Sequence, residues 1–307
     1  MPSQRSDAPR RDIHAEITNA LIDAVLADPG NPTMPWRRTA GPLYMPSNAL
    51  TKNAYRGINV VSLWVSAELR GYATPIWATY RQWSELGSQV RKGERSTLVV
   101  FYKEYESDPD PSNADDDGKR RVARASYVFN ADQVDGFTLP VAPKLLGPIE
   151  RLEAVDRFVT ATGARVEHGG DRAFYRQTTD TIHMPDEGLF YGTDTMDRNE
   201  AYYAVLAHEL THWTGAKQRL ARDMSKRFGE AGYAAEELVA EIASAFLCGE
   251  LGITQDTRID HAQYVANWLQ LMKDDTRAIF AAAAKASEAV AYLKQMQPPR
   301  LAGGRKL

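Results

Sequence analysis

His208-Glu209-Leu210-Thr211-His212 decides how the second half of this 307-residue chain folds. It is an HExxH pattern inside a segment written as a helix. Asp197-Arg198-Asn199-Glu200 has the spacing of a capped start, an acid at the N-cap and a glutamate three residues on. Ala201, Tyr202, Val205, Leu206, Leu210 and Trp213 then recur at helical intervals, and Gly215 supplies a stop. Residues four apart on a helix share a face, so both imidazoles can reach one metal ion. Glu209 stands beside them as a general base for water. The same spacing occurs in ordinary packed helices, but the chain has only six histidines, and two fall in this pattern beside a glutamate.

A hydrolytic zinc centre takes three protein ligands and keeps a fourth position open. The extended pattern HExxHxxGxxH would draw the third ligand from position 218, which is Gln218, a poor zinc ligand. The alternative is a glutamate from a following helix. Ala235 to Leu251 supplies Glu236, Glu237 and Glu241 in a run of Ala, Leu, Val, Ile and Phe, where unpaired carboxylates are costly. Glu237 is preferred as ligand. Glu241, four residues on along the same face, then orients a ligand histidine through a hydrogen bond. Glu236 is the third choice, and pairing of these acids with Arg219, Arg222 or Lys226 is the competing explanation. Zinc is the expected ion, replaceable by manganese or another divalent first-row metal. Tyr233, His261 and Tyr264 are candidates for stabilising an oxyanion.

Composition points to a soluble, cytoplasmic protein. Hydrophobic residues make up 43% of the chain, but no apolar run is long enough to span a bilayer. Arg5, Arg10 and Arg11 are followed by no apolar stretch, so no secretory signal is expected. A single cysteine, Cys248, excludes an internal disulfide and agrees with a reducing compartment.

The net charge of −3 conceals an asymmetry. Between Pro29 and Lys103 ten Lys and Arg face three acids, whereas Glu104 to Gly118 carries seven acids and no base. The basic stretch is also rich in aromatics. Basic side chains that follow phosphates and aromatic faces that stack on bases are the ingredients of single-stranded nucleic-acid binding. Arg56, Arg91 and Lys92, in turn-like segments, are the expected phosphate contacts, and Tyr55, Tyr80 and Trp83 the expected stacking residues. The competing explanation is that these rings build a core.

The length suggests two domains, each with a core of its own. In the first, periodicity predicts helices over 13–26, 60–69 and 80–86, the last opened by Thr79 and Gln82. A hairpin is expected at Gln89-Val90-Arg91-Lys92-Gly93-Glu94, then strands over 96–105 and 122–129 flanking a mobile acidic loop. In the second, a helix over 149–162 precedes strands at 173–176 and 181–184, the HExxH helix, the Glu237 helix and two more over 260–272 and 274–294. The fold class is therefore α+β. A small antiparallel sheet packed on an HExxH helix, closed behind by later helices, is the zincin plan.

Several motifs together resemble one family. They are Tyr55-Arg56-Gly57-Ile58-Asn59, Thr79-Tyr80-Arg81-Gln82-Trp83, Val90-Arg91-Lys92-Gly93-Glu94, Val128-Phe129-Asn130, His208 to Gly215 and Glu236 to Phe246. The chain resembles the ArdC antirestriction proteins of conjugative plasmids. The resemblance implies a single-stranded-DNA-binding domain over 1–140 and a zincin-type metallopeptidase domain over 149–297; the Pro-bearing stretch between them reads as a linker at 141–148, and 298–307 reads as a disordered tail. It also implies a role in shielding incoming plasmid DNA from host restriction. A host restriction protein or another DNA-bound protein is the expected peptidase substrate, and no membrane partner is expected. Two rival readings stay open: a DNA-activated protease acting on DNA-bound proteins, and a pure single-strand-binding protein whose metal site only staples the second domain.

Overall fold

The computed structural model describes residues 12–27, 44–106, 119–139, 148–190, 196–253 and 262–298. The acidic loop beyond residue 106, the linker up to residue 147, His261 and the tail beyond residue 298 lie outside them.

The first unit comprises α1 (Ile13–Val25), β1 (Ser47–Asn48), α2 (Ile58–Arg70), β2 (Ile76–Ala78), α3 (Tyr80–Glu85), β3 (Gln89–Val90), β4 (Thr97–Glu106), β5 (Lys119–Asn130) and β6 (Val134–Asp135). Asp12 caps α1 by accepting from the backbone N–H groups of His14 and Ala15, and Thr79 and Gln82 form the expected capping box on α3. The main sheet runs β1-β2-β5-β4, with β4 and β5 antiparallel from Thr97↔Val128 to Glu106↔Lys119. An open strand edge invites foreign pairing. Here α2 covers the inner part of the β4 edge: the Asn59 side chain both donates to and accepts from the Val100 backbone, and Ser62 donates to Leu98 O. The expected hairpin at 89–94 is not a hairpin between neighbouring strands. β3 pairs with β6, more than forty residues on, and Gly93 (φ +89°) turns the chain into a different sheet.

The second unit comprises α4 (Pro148–Ala161), β7 (Arg165–His168), β8 (Phe174–Arg176), β9 (Thr181–Met184), α5 (Arg198–Thr214), α6 (Ser225–Phe228), α7 (Gly232–Leu251), α8 (Ala262–Asp274) and α9 (Ala278–Gln295). The anticipated β8–β9 hairpin forms, turning at Asp180 (φ +51°). β7 was not anticipated; it pairs parallel to β9, so the order is β7-β9-β8 and the sheet is mixed rather than wholly antiparallel. The Asp197–Glu200 capping box opens α5, and Gly215 ends it. Among the described residues no helix is long and apolar enough to cross a membrane.

Each unit was expected to own a core, but a single hydrophobic cluster runs through both. The ring of Trp64 on α2 meets that of Phe246 on α7 edge-on at 5.6 Å. α1 is seated on the second unit: Thr18 donates to Thr276 O at 2.6 Å and His14 packs on Phe280. The Gly57 N–H, at the start of α2, donates to Ser287 on α9 at 3.0 Å. A smaller cluster around Trp83, Val90 and Val134 belongs to the first unit alone. The main contacts are buried and apolar, so the halves should unfold together. Calorimetry of the full chain should show one transition, and Phe246→Ala should lower stability by about 3–5 kcal/mol. Two separable transitions would show that the interface contributes little.

Candidate metal centre and nucleic-acid face

α5 and α7 bring three ligand groups together. Helical spacing places His208 and His212 one turn apart on α5, and α7 crosses opposite them because its small residues permit close approach. Ala240, Ala243 and Ala245 are fully buried, and Ser244 donates to Ala204 O on α5 at 3.0 Å. Glu237 thereby faces both imidazoles. His208 Nε2 and His212 Nε2 are 3.2 Å apart; His208 Nε2 lies 3.5 Å from Glu237 Oε2 and His212 Nε2 lies 3.5 Å from Glu237 Oε1. Among the described residues these three form the one group of His, Cys, Asp and Glu so arranged that it could hold a metal ion.

The surroundings orient them. Glu236 comes within 3.3 Å of His212 Nδ1, and Arg222 locks that carboxylate with contacts of 2.6 Å from Nη2 and 2.8 Å from Nε. The buried Arg222 guanidinium also donates to Thr211 O and Thr214 Oγ1, fastening the end of α5. Glu236, third choice as a ligand, is thus the acid that orients His212. Glu241, 2% exposed, lies 3.8 Å from His208 Nδ1, on the side away from Glu237. Gly215 leaves room for this arrangement, since a Cβ there would lie 2.9 Å from Arg222 Nη2.

Electrostatics follow the geometry. Burial drives the His212 imidazole toward neutrality, but Glu236, Glu237 and Glu209 outweigh it and raise its pKa. Burial pushes the Glu236 and Glu237 carboxyls up, yet Arg222 and His212 at the first, and His208, His212 and Tyr233 at the second, hold both below the ordinary carboxylate range. Glu209 is buried next to His208, without being part of the trio. Tyr233, one turn before Glu237, is the one proposed oxyanion donor whose side chain is described, and it is 66% exposed. Farther along, Arg219 lies over the Trp213 ring and pairs with Asp180, tying the β8–β9 turn to α5 and holding the Asp180 carboxyl down at about 2.

The expected nucleic-acid residues divide. Tyr55 and Trp83 are 7% and 0% exposed. The Tyr55 hydroxyl accepts from Asn48, and the Trp83 indole donates to Phe129 O while its ring packs on Phe137. Neither presents a face to a base: burial against partners distant in sequence overrides their place in a basic stretch. Tyr80 is exposed and meets Phe129 edge-on, and both line a cleft of about 530 Å³ together with Gln89, Arg91 and Lys92. Arg91 is held by Glu94 at 2.9 Å and Asp135 at 3.5 Å, while Lys92 makes no hydrogen bond or ion pair among the described residues. Arg56, exposed, sits beside Gly57 at the junction with α9. Sequence reasoning missed Phe129, whose place in the cleft depends on β5 meeting β2.

Comparison with known proteins gives the class of each half. Residues 153–285 match the model of a zincin-like metallopeptidase domain, and residues 11–129 that of the N-terminal domain of the anti-restriction factor ArdC. The order of the two domains is reproduced in solved structures. The metal-free crystal structure of antirestriction protein ArdC from plasmid R388 superposes with a TM-score of 0.74 at 38% identity, over 94% of this chain and 98% of that one. Its Mn(II)-bound form superposes at 0.73 and 37% identity, over 94% and 100%. The chain belongs to the ArdC antirestriction family. It is also 43% identical over 302 residues to the uncharacterized protein y4eC of Sinorhizobium fredii, covering 97% of this chain and 96% of that protein. To DNA primase TraC of Escherichia coli it is 37% identical over 295 residues, covering 91% of this chain but only 27% of TraC. The zincin-like domain and the Mn(II)-bound relative together indicate a site for a divalent metal.

If Arg222 and Glu236 hold His212 in its ligating orientation, Arg222→Ala should weaken zinc binding by about 10–100-fold, the usual effect of losing an outer support. Competition with a chromogenic chelator measures this, and unchanged affinity in the folded variant would remove the support role.

Proposed function

We propose that this chain is a single-stranded-DNA-binding antirestriction protein with a peptidase-type zinc centre at His208, His212 and Glu237, in which Glu209 is the general base. The observation that carries the metal assignment is the trio itself. Ligands at about 2.0–2.1 Å around a tetrahedral zinc ion lie about 3.3 Å from one another. The two imidazole Nε2 atoms, 3.2 Å apart, are close to that value, and each lies 3.5 Å from a different oxygen of the Glu237 carboxylate, so the three groups close on one site. Two imidazoles and a carboxylate are a donor set that zinc accepts and manganese tolerates.

Three protein donors leave a coordination position open, as hydrolytic rather than purely structural zinc sites do. When bound, zinc would polarise a peptide carbonyl and make water nucleophilic near neutral pH. Glu209 takes a proton from the attacking water and passes it to the leaving amine. Tyr233, exposed beside Glu237, is the proposed donor toward the oxygen that gains charge, a role it takes by giving up its hydrogen bond to Glu237. Glu236 holds the His212 imidazole from its Nδ1 side at 3.3 Å, whereas Glu241 faces His208 Nδ1 at 3.8 Å, beyond hydrogen-bond distance. The natural substrate class is a polypeptide, and a host restriction protein or another DNA-bound protein suits a chain that also grips DNA.

On the DNA side, Tyr80, Lys92 and Arg91 around the cleft, with Arg56 at the junction, are the proposed contacts. Arg91 engages a phosphate only by exchanging Glu94 or Asp135 for it, so Lys92 is the stronger electrostatic contributor. Coating a strand hides it from restriction without chemistry, so protection rests on binding.

Glu209→Gln tests the separation of the two activities. The variant should retain about one zinc per chain by elemental analysis, since Glu209 is not a ligand, and lose peptidase activity on casein by about 10²–10⁴-fold, with or without single-stranded DNA. It should still protect conjugating DNA from host restriction. Loss of protection with folding and DNA binding intact would make proteolysis part of the function. Glu237→Ala should lower zinc affinity more than Glu241→Ala; the reverse order would reassign the third ligand.

A further inference from the structure

We infer that β5 carries a stacking track for unpaired bases that begins at Tyr80 and Phe129 in the cleft and continues to Tyr127. This rests on the single-stranded-DNA reading above and adds what the sequence did not show: residues outside the basic stretch, and a reason for choosing a single strand.

Alternate residues of a strand point to the same face, so Phe129 and Tyr127 stand side by side on one side of the sheet. The register with β4 runs without interruption through Leu98↔Tyr127 to Thr97↔Val128, and Phe129 pairs next with Ala78 of β2. Tyr80 and Tyr127 are both exposed, at 53% and 39%, and Phe129 lies half-buried with Tyr80 edge-on against it. The Tyr80 hydroxyl accepts from Gln89, which fixes the ring at the wall of the cleft.

The spacing selects the ligand. Two residues along a strand span about 6.8 Å, twice the ~3.4 Å step between stacked bases in a B-form strand. Successive bases resting on Phe129 and Tyr127 must therefore be pulled apart, which a single strand allows and a paired duplex resists. Lys92 at the cleft supplies positive charge for the phosphate beside the first base. On the opposite face Phe101 and Arg124 are cross-strand partners, both exposed. They provide a control on the same hairpin.

Fluorescence anisotropy with labelled dT15 and a hairpin duplex, using the full chain, tests the track. Tyr80→Ala and Tyr127→Ala should each weaken dT15 binding by about tenfold or more, as expected for a lost stacking platform, and leave the salt dependence unchanged. Tyr127→Phe should bind as the unaltered chain does, since the ring is kept. Phe101→Ala should have little effect. Lys92→Ala should instead flatten the salt dependence by about 0.7 in log–log slope. Binding within twofold of the unaltered chain in both alanine variants would overturn the track and leave the DNA reading standing, as would a Tyr127→Phe variant as weak as Tyr127→Ala. Failure of the unaltered chain to bind dT15 would overturn the DNA reading and the track together.

Discussion

Burial of α7 on nearly every side is the constraint from which the rest of the molecule follows. Leu238, Val239, Ala240, Ile242, Ala243, Ala245, Phe246 and Leu247 are at most 2% exposed, so apolar contacts cover the helix all round rather than along a stripe. It packs against α5 on one flank and α9 on another, with α8 held to it by the Trp268 indole bonding Ala234 O. A helix so enclosed has no freedom to rotate. The direction in which Glu237 points is therefore set by close packing of alanines and leucines, and the ligand geometry inherits that rigidity.

The same helix joins the two halves. Glu237 stands near its start and Phe246 more than two turns later, where it meets Trp64 of the first unit. The halves match separate domain models, yet they share one apolar cluster, and α1, at the very start of the described chain, is seated on α8 and α9. Any DNA held at the first unit is thus carried by a body continuous with the metal centre. That arrangement fits the proposed function, in which a peptidase-type site is carried on the same body as the DNA-binding face.

What was legible in the sequence was local and periodic. The HExxH helix, its capping box, the Gly215 stop and the placing of Glu237 opposite the histidines all follow from a 3.6-residue repeat and from acids stranded in an apolar run. What was not legible depended on partners far away in the chain. Arg165-Val166-Glu167-His168 has one apolar residue and no alternation to betray a strand; it is a strand because β9 offers it a parallel edge. Val90 pairs with Val134, which no reading of residues 89–94 could show. Tyr55 and Trp83 carry every local mark of a stacking residue, and tertiary packing buries them. Arg222 reaches Glu236 across 14 residues, so its grip on the ligand shell is a product of the turn after Gly215 rather than of any motif.

Charge bookkeeping at the centre explains why such a rigid, buried site suits a cation. Glu209, Glu236, Glu237 and Glu241 gather about two imidazoles, and Arg222 answers Glu236 alone. Burial opposes this excess of negative charge, yet the carboxyls of Glu236 and Glu237 stay below their usual range because their neighbours are positive or hydrogen-bonding. The imidazole of His212 is drawn toward its protonated form by the same acids. A divalent ion held there by His208, His212 and Glu237 would answer that excess with one compact charge and would displace protons from the imidazoles, linking metal uptake to proton release. Of these four carboxylates Glu209 is the one for which no contact with an imidazole or with Arg222 is seen among the described residues, which fits the general-base role proposed for it.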